Sequence, residues 1–199
     1  DEMAAIRKVF NDMRMRTGRA GVGVDELLLG VNWPTGLGNL ARSLFSIVNL
    51  DQRSLLGPKM FVEFIVRFNL MSPGDLVNLV FSAFNTDRPG LISKEELRTL
   101  VAHLHADATA SRQAGLLRVA VGVLGLDDPA RPSRVPVEQF AALHRNQHQL
   151  MAPVHELQQA LRTLVLGKPY WVKAVETYSI VRKQLLEDHK YSRPLDLKS

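Results

Sequence analysis

An all-α fold is what this sequence predicts: two pairs of helix–loop–helix units followed by a C-terminal helical extension. Three observations predict it. A short pattern recurs along the chain, an apolar residue followed by three spacers, an acid or amide, then Leu or Phe. The stretches flanking each recurrence carry apolar residues three and four apart, the spacing of one helix face. Beyond residue 150 the same spacing continues in two further stretches with helix-type boundaries.

The recurrences run from Val22 to Glu26-Leu27, from Ile92 to Glu96-Leu97 and from Val135 to Gln139-Phe140. A fourth, KMFVEF, ends in Glu63-Phe64 but has Lys59 at the apolar position. The acid or amide positions Glu26, Glu63, Glu96 and Gln139 are 37, 33 and 43 residues apart, so one supersecondary unit is used repeatedly. In EELRTLVAHLH, Leu97, Leu100, Val101 and Leu104 share a face; in DLVNLVFSAF, Leu76, Leu79, Val80 and Phe84 do. SPGD starts the latter helix, with Ser72 as cap and Pro73 at the first helical position. The unit is helix, a loop of about a dozen residues, helix.

The stretch from Asn85 to Glu96, NTDRPGLISKEE, places Asn85, Asp87, Gly90, Ile92, Ser93 and Glu96 at telling positions. With the repeat, this resembles the EF-hand superfamily in its four-handed form, as in calmodulin or the calcineurin regulatory subunit. The resemblance spans roughly residues 3 to 150 and is strongest over 76 to 105. It implies an N-terminal pair of hands over residues 1–71, a second pair over 72–150, and an extension over 151–199. It also implies that the loops pair through short strands, Ile92 with Val135 and Val22 with a neighbour in 59–61.

EF-hand loops hold calcium with oxygens from positions 1, 3, 5, 7, 9 and 12, position 7 through its backbone carbonyl and position 12 as a bidentate glutamate. The resemblance therefore implies one weak calcium site, made by Asn85, Asp87, the carbonyl of Leu91, Ser93 and Glu96. Pro89 stands at position 5 and brings no side-chain oxygen; it also constrains Arg88 to extended conformations. The other loops are expected to be empty. MRTGRAGVGVDE has Met15, Thr17 and Arg19 at positions 1, 3 and 5; QRSLLGPKMFVE has Leu56 at position 5; DPARPSRVPVEQ ends in Gln139.

In the extension, PVHELQQALRTLVLG reads as a helix from Pro153 to a stop at Gly167, with Val154, Leu157, Leu161, Leu164 and Val165 apolar. KPYWVKAVETYSIVRKQLLEDHK reads as another, with Trp171, Val172, Val175, Ile180 and Leu185 apolar. EF-hand lobes bind partner helices in an apolar groove. The two added helices either fill such a groove in cis or carry a separate partner-binding face with Tyr170 and Trp171 as anchors.

Composition narrows the function. The chain of 199 residues has 46% apolar residues and no cysteine, which excludes disulfides, thiolate metal sites and cysteine nucleophiles. A formal charge of +5 is spread without a basic block or an aromatic stacking platform, so nucleic acid is not the expected partner. No apolar run reaches membrane-spanning length. The opening DEMAAIRKVF lacks the marks of a signal peptide and an initiator Met, as expected of a piece of a longer or processed chain. His144 and His148 are four apart but lack a metalloprotease glutamate and are expected to be exposed; GVG at 21–23 and GLG at 36–38 fall short of phosphate-binding motifs. No catalytic constellation stands out.

The expected function is that of a non-enzymatic adaptor or structural subunit, largely independent of calcium. It would bind other proteins within a larger intracellular assembly of cytoskeletal or axonemal kind. The alternative is a calcium-responsive regulator that uses residues 85–96 as its single switch.

Overall fold

The computed structural model describes residues 1–32, 45, 55–85 and 90–191, and these are predominantly helical. Helix α1 (Glu2–Thr17) is capped by Asp1, whose carboxylate accepts from the Met3 N–H at 3.0 Å, and ends on Gly18 in the left-handed region. Its Ile6, Phe10 and Met13 are buried at helical spacing against α2 (Val24–Gly30) and α3 (Pro58–Leu70). Phe61 of α3 meets Phe10, and Phe64 stacks on Phe68 one turn later. This phenylalanine row is the centre of the N-terminal core.

Helix α4 (Pro73–Phe84) follows with only Met71 and Ser72 between. Ser72 caps the helix as expected, Asp75 completes a reciprocal capping box with it, and Pro73 occupies the first turn, where its missing N–H costs nothing. Strand β1 (Leu91–Ser93) leads into α5 (Lys94–Leu104), which buries Leu97, Leu100, Val101 and Leu104, the face expected from their spacing. Helix α6 (Ala110–Leu124) ends at Gly125, with left-handed backbone. Strand β2 (Arg134–Pro136) then enters α7 (Val137–Asn146).

β1 and β2 are antiparallel, with Ile92 opposite Val135, Leu91 opposite Pro136 and Ser93 opposite Arg134. Ile92 and Val135 are both buried, so an apolar pair closes the sheet beneath the loops. At the N-terminal side, Val22 and Leu56 form an isolated antiparallel bridge through reciprocal hydrogen bonds of 3.0 and 2.8 Å. The partner expected for Val22 within residues 59–61 is therefore corrected to Leu56. Lys59 is a cation and could not replace an apolar residue there, and Gly57-Pro58 starts the helix three residues earlier than the repeat suggested. The residue four beyond Leu56 is Met60, and Glu63 lies inside α3, paired with Arg67 at 2.8 Å.

A 3-10 turn (His148–Met151) leads into α8 (Ala152–Leu164), which packs on α3 and α4. Val154, Leu157 and Leu161 are its buried stripe. Gln158 donates to the carbonyls of Phe68 and Met71 at 2.7 and 3.1 Å, and Arg162 donates to that of Asn69. These are carbonyls of the last turn of α3 and its cap, which have no partner within their own helix. Helix α9 (Lys168–Tyr191) starts after Leu166 and Gly167, both with positive φ, and packs on α3 and α8. Among the described residues no helix is long and apolar enough to cross a membrane.

Candidate functional site

The loop between α4 and α5 holds the residues singled out as calcium ligands. Asn85 terminates α4, half-buried, and its Oδ1 meets no hydrogen-bond donor among the described residues. Asp87 and the neighbouring Pro89 lie outside the described residues. Gly90 has φ +91, a left-handed conformation that a residue with a Cβ adopts only under strain. Leu91 and Ser93 are the two ends of β1.

Glu96, the expected bidentate ligand, is turned back on its own helix start. Its Oε2 accepts from the Ser93 N–H at 2.8 Å and from the Ser93 hydroxyl at 2.9 Å, while Ser93 Oγ accepts from the Glu96 N–H at 3.2 Å. This capping box satisfies two donors that the first turn would otherwise leave open. The carboxylate is only 8% exposed, and Arg134, reaching across from β2, donates to the same oxygen at 3.3 Å.

The first loop repeats this arrangement with other residues. Glu26 is 2% exposed and accepts from the Gly23 N–H at 2.9 Å. Its other oxygen faces the Arg19 guanidinium at 3.3 Å. Arg19 comes from the same loop, Arg134 from the neighbouring one. In both cases a guanidinium stands beside the buried glutamate that ends the loop. A buried carboxylate without a cation or donors is costly, and here arginine and backbone N–H groups supply both. In the last loop Asp128 accepts from the Ala130 N–H at 2.9 Å and pairs with Arg131, and Gln139 is exposed.

The second candidate region is the extension. Trp171 is 2% exposed and its indole N–H donates to the Val165 carbonyl at 2.6 Å, so it anchors α9 to the body and offers nothing to a partner in this arrangement. Tyr170, beside it edge-on, keeps 38% of its surface. Beyond Val175 the helix is exposed on all sides as far as Leu185, and Tyr178, Val181 and Leu185 form an apolar row at spacings of three and four. Between α3, α4 and α9 lies an open groove of about 790 Å³ lined by Val66, Leu70, Leu79 and Tyr178. Arg182 pairs with Asp75 at 3.3 Å across it. Burial raises the Asp75 pKa, but the Ser72 hydroxyl and N–H, together with Arg182, outweigh it and hold the carboxyl below its usual range.

The sequence reading missed the histidine cluster at the start of the extension. His144, expected to be exposed on α7, is buried, and it lies against both His148 and His155 of α8. The signal was present in the spacing of His144 and His148, but His155 joins only through packing of α7 on the turn and on α8. Among the described residues no group of three or more His, Asp or Glu side chains is arranged to hold a metal ion. No protein-family model matches the chain, and no curated protein matches it.

Proposed function

We propose that this chain is a non-enzymatic protein-binding module of EF-hand type, built to keep its loops in shape without calcium. The observation that carries the reading is the pairing of both buried loop-end glutamates with arginine: Glu26 with Arg19 and Glu96 with Arg134. In an ion-binding loop that carboxylate would be free to turn toward the metal. Here it is engaged by a capping box and a guanidinium, and a calcium ion would have to displace or repel that positive charge. The pairs of loops joined at Ile92–Val135 and Val22–Leu56 are read as two pairs of hands, spanning 1–71 and 72–150, with 151–199 added.

Partners meet α9 beyond Val175, where Tyr178, at the open groove, and Val181 and Leu185 stay exposed after Trp171 has anchored the helix. An adaptor role in a larger cytoskeletal or axonemal assembly follows from the EF-hand resemblance alone. The second reading, a calcium-responsive regulator with one weak site at Asn85, Asp87, Leu91, Ser93 and Glu96, is favoured by one observation. Asn85 Oδ1 has no donor among the described residues, as a waiting ligand would not. Amide NMR during a calcium titration decides between them. The adaptor reading expects Gly90 and Ile92 to keep their shifts at millimolar calcium. Shifts that move in the wild type and stay still in Glu96→Gln would replace it with the regulator.

A further inference from the structure

Two imidazoles from different helices point their ring nitrogens at a common place. Nε2 of His144, on α7, and Nε2 of His155, on α8, are 3.4 Å apart, and their ring centres are 5.2 Å apart. As a hydrogen bond that contact is long, since N–H donors prefer about 2.9–3.0 Å. Two imidazole nitrogens bound to one tetrahedral zinc at about 2.05 Å, however, lie about 3.3–3.4 Å apart, with ring centres about 5.2–5.3 Å apart. Both separations agree with the chelate.

We propose that His144 and His155 bind a divalent transition metal of the zinc, nickel or copper(II) class through their Nε2 atoms, joining α7 to α8. Imidazole suits these ions. Since the described residues gather no set of three ligands, water takes the remaining positions. His148 is exposed on the rim, its ring edge-on to His144 at 5.7 Å, outside the two-histidine chelate. Metal ligation needs neutral imidazoles. Burial, followed by the charges of neighbouring histidines, lowers the pKa of His144 and of His155, in the direction that favours the neutral ring. With Nε2 on the metal, Nδ1 of His144 carries the proton and meets no acceptor among the described residues. That missing outer contact makes the expected affinity modest. The ion would cross-link the body of the protein to its extension at the turn between them.

The test is calorimetric titration of the whole chain, stripped with a chelator, with zinc alone at pH 7.5, alongside long-range 1H–15N spectra of the imidazoles. One zinc per chain is expected, with the Nε2 signals of His144 and His155 moving and those of His103 and His105 unchanged. His155→Gln, at a half-buried position, should weaken binding about tenfold or more, and His148→Gln less. Equal zinc affinity in His155→Gln and wild type would overturn the site. So would imidazole signals of His144 and His155 that ignore zinc at millimolar concentration, a reading the wild type provides even if the variant folds poorly.

Discussion

Gly21 shows how closely single residues are constrained here. A Cβ built on it would lie 2.7 Å from the carbonyl oxygen of Leu56 and 3.1 Å from the Leu55 side chain. The obstacle is backbone, and that backbone is held by the bridge between Val22 and Leu56. Gly21→Ala should therefore destabilise the protein by about 1–3 kcal/mol, the usual cost of overpacking. Urea denaturation measures it, and an unchanged midpoint would mean the two loops slide apart freely. In the sequence this glycine belongs to GVG, which looks like a fragment of a phosphate loop. Its actual constraint comes from a residue 35 positions away, which no local pattern reveals. Gly90 differs: its left-handed backbone is a property of its own turn, and the loop motif pointed straight at it.

Helix α9 raises the corresponding question for whole elements. Its first turns are fastened by Trp171 against the body and by the indole hydrogen bond to Val165, and farther along the Arg182–Asp75 pair ties it to α4. Trp171→Ala removes a large buried ring, at a cost of about 3–5 kcal/mol where the site does not collapse. Because α9 is exposed from Glu176 to Leu185 and the Arg182–Asp75 pair lies at the surface, that loss should release the helix before the body unfolds. Limited trypsin digestion should then cut faster at Lys173 and Lys183, with circular dichroism still showing the other helices. Cutting at the wild-type rate would mean that α9 is held elsewhere. The limits of α8 were legible, with Pro153 in its first turn and Gly167 beyond its end. The use of Val165 was not: it caps α8 in an extended conformation and its carbonyl is the acceptor for Trp171. An amphipathic pattern shows which residues are apolar, while tertiary contacts decide which of them end the helix.

At the scale of the whole molecule, α8 binds the halves together, and its start carries a titratable cluster. Burial is the main cause that lowers the pKa of His144 and of His155, with neighbouring histidine charge second. The sign follows from linkage. Below the unfolded value of about 6.5 the unfolded chain binds more protons than the native one, so stability falls as pH falls. The stabilisation is complete above about pH 6.5 and is lost as pH drops through the lowered folded values. Denaturation midpoints at pH 7.5 and 5.5 should fall in that order, and His155→Gln should narrow the difference. A midpoint that rises on acidification would contradict this account.

Apart from the pairing of Ile92 with Val135, which the resemblance implied, the sequence by itself determined the helical class, the capped start at Ser72 and the apolar face of α5; the cap at Ser93, expected as a calcium ligand, was seen only in the structure. The class, the Ser72 cap and the α5 face follow from local rules: a capping residue satisfies donors within one turn, and apolar spacing of three and four reads out one helix face. Only the tertiary structure decided that Leu56 and not residues 59–61 meets Val22, that Arg134 neutralises Glu96 from another loop, that Gln158 closes the end of α3, and that His155 meets His144. Each of these joins groups far apart in the chain. Their partners are chosen by burial, because a carboxylate, a helix-end carbonyl or an imidazole removed from water must find a partner wherever the packed chain brings one.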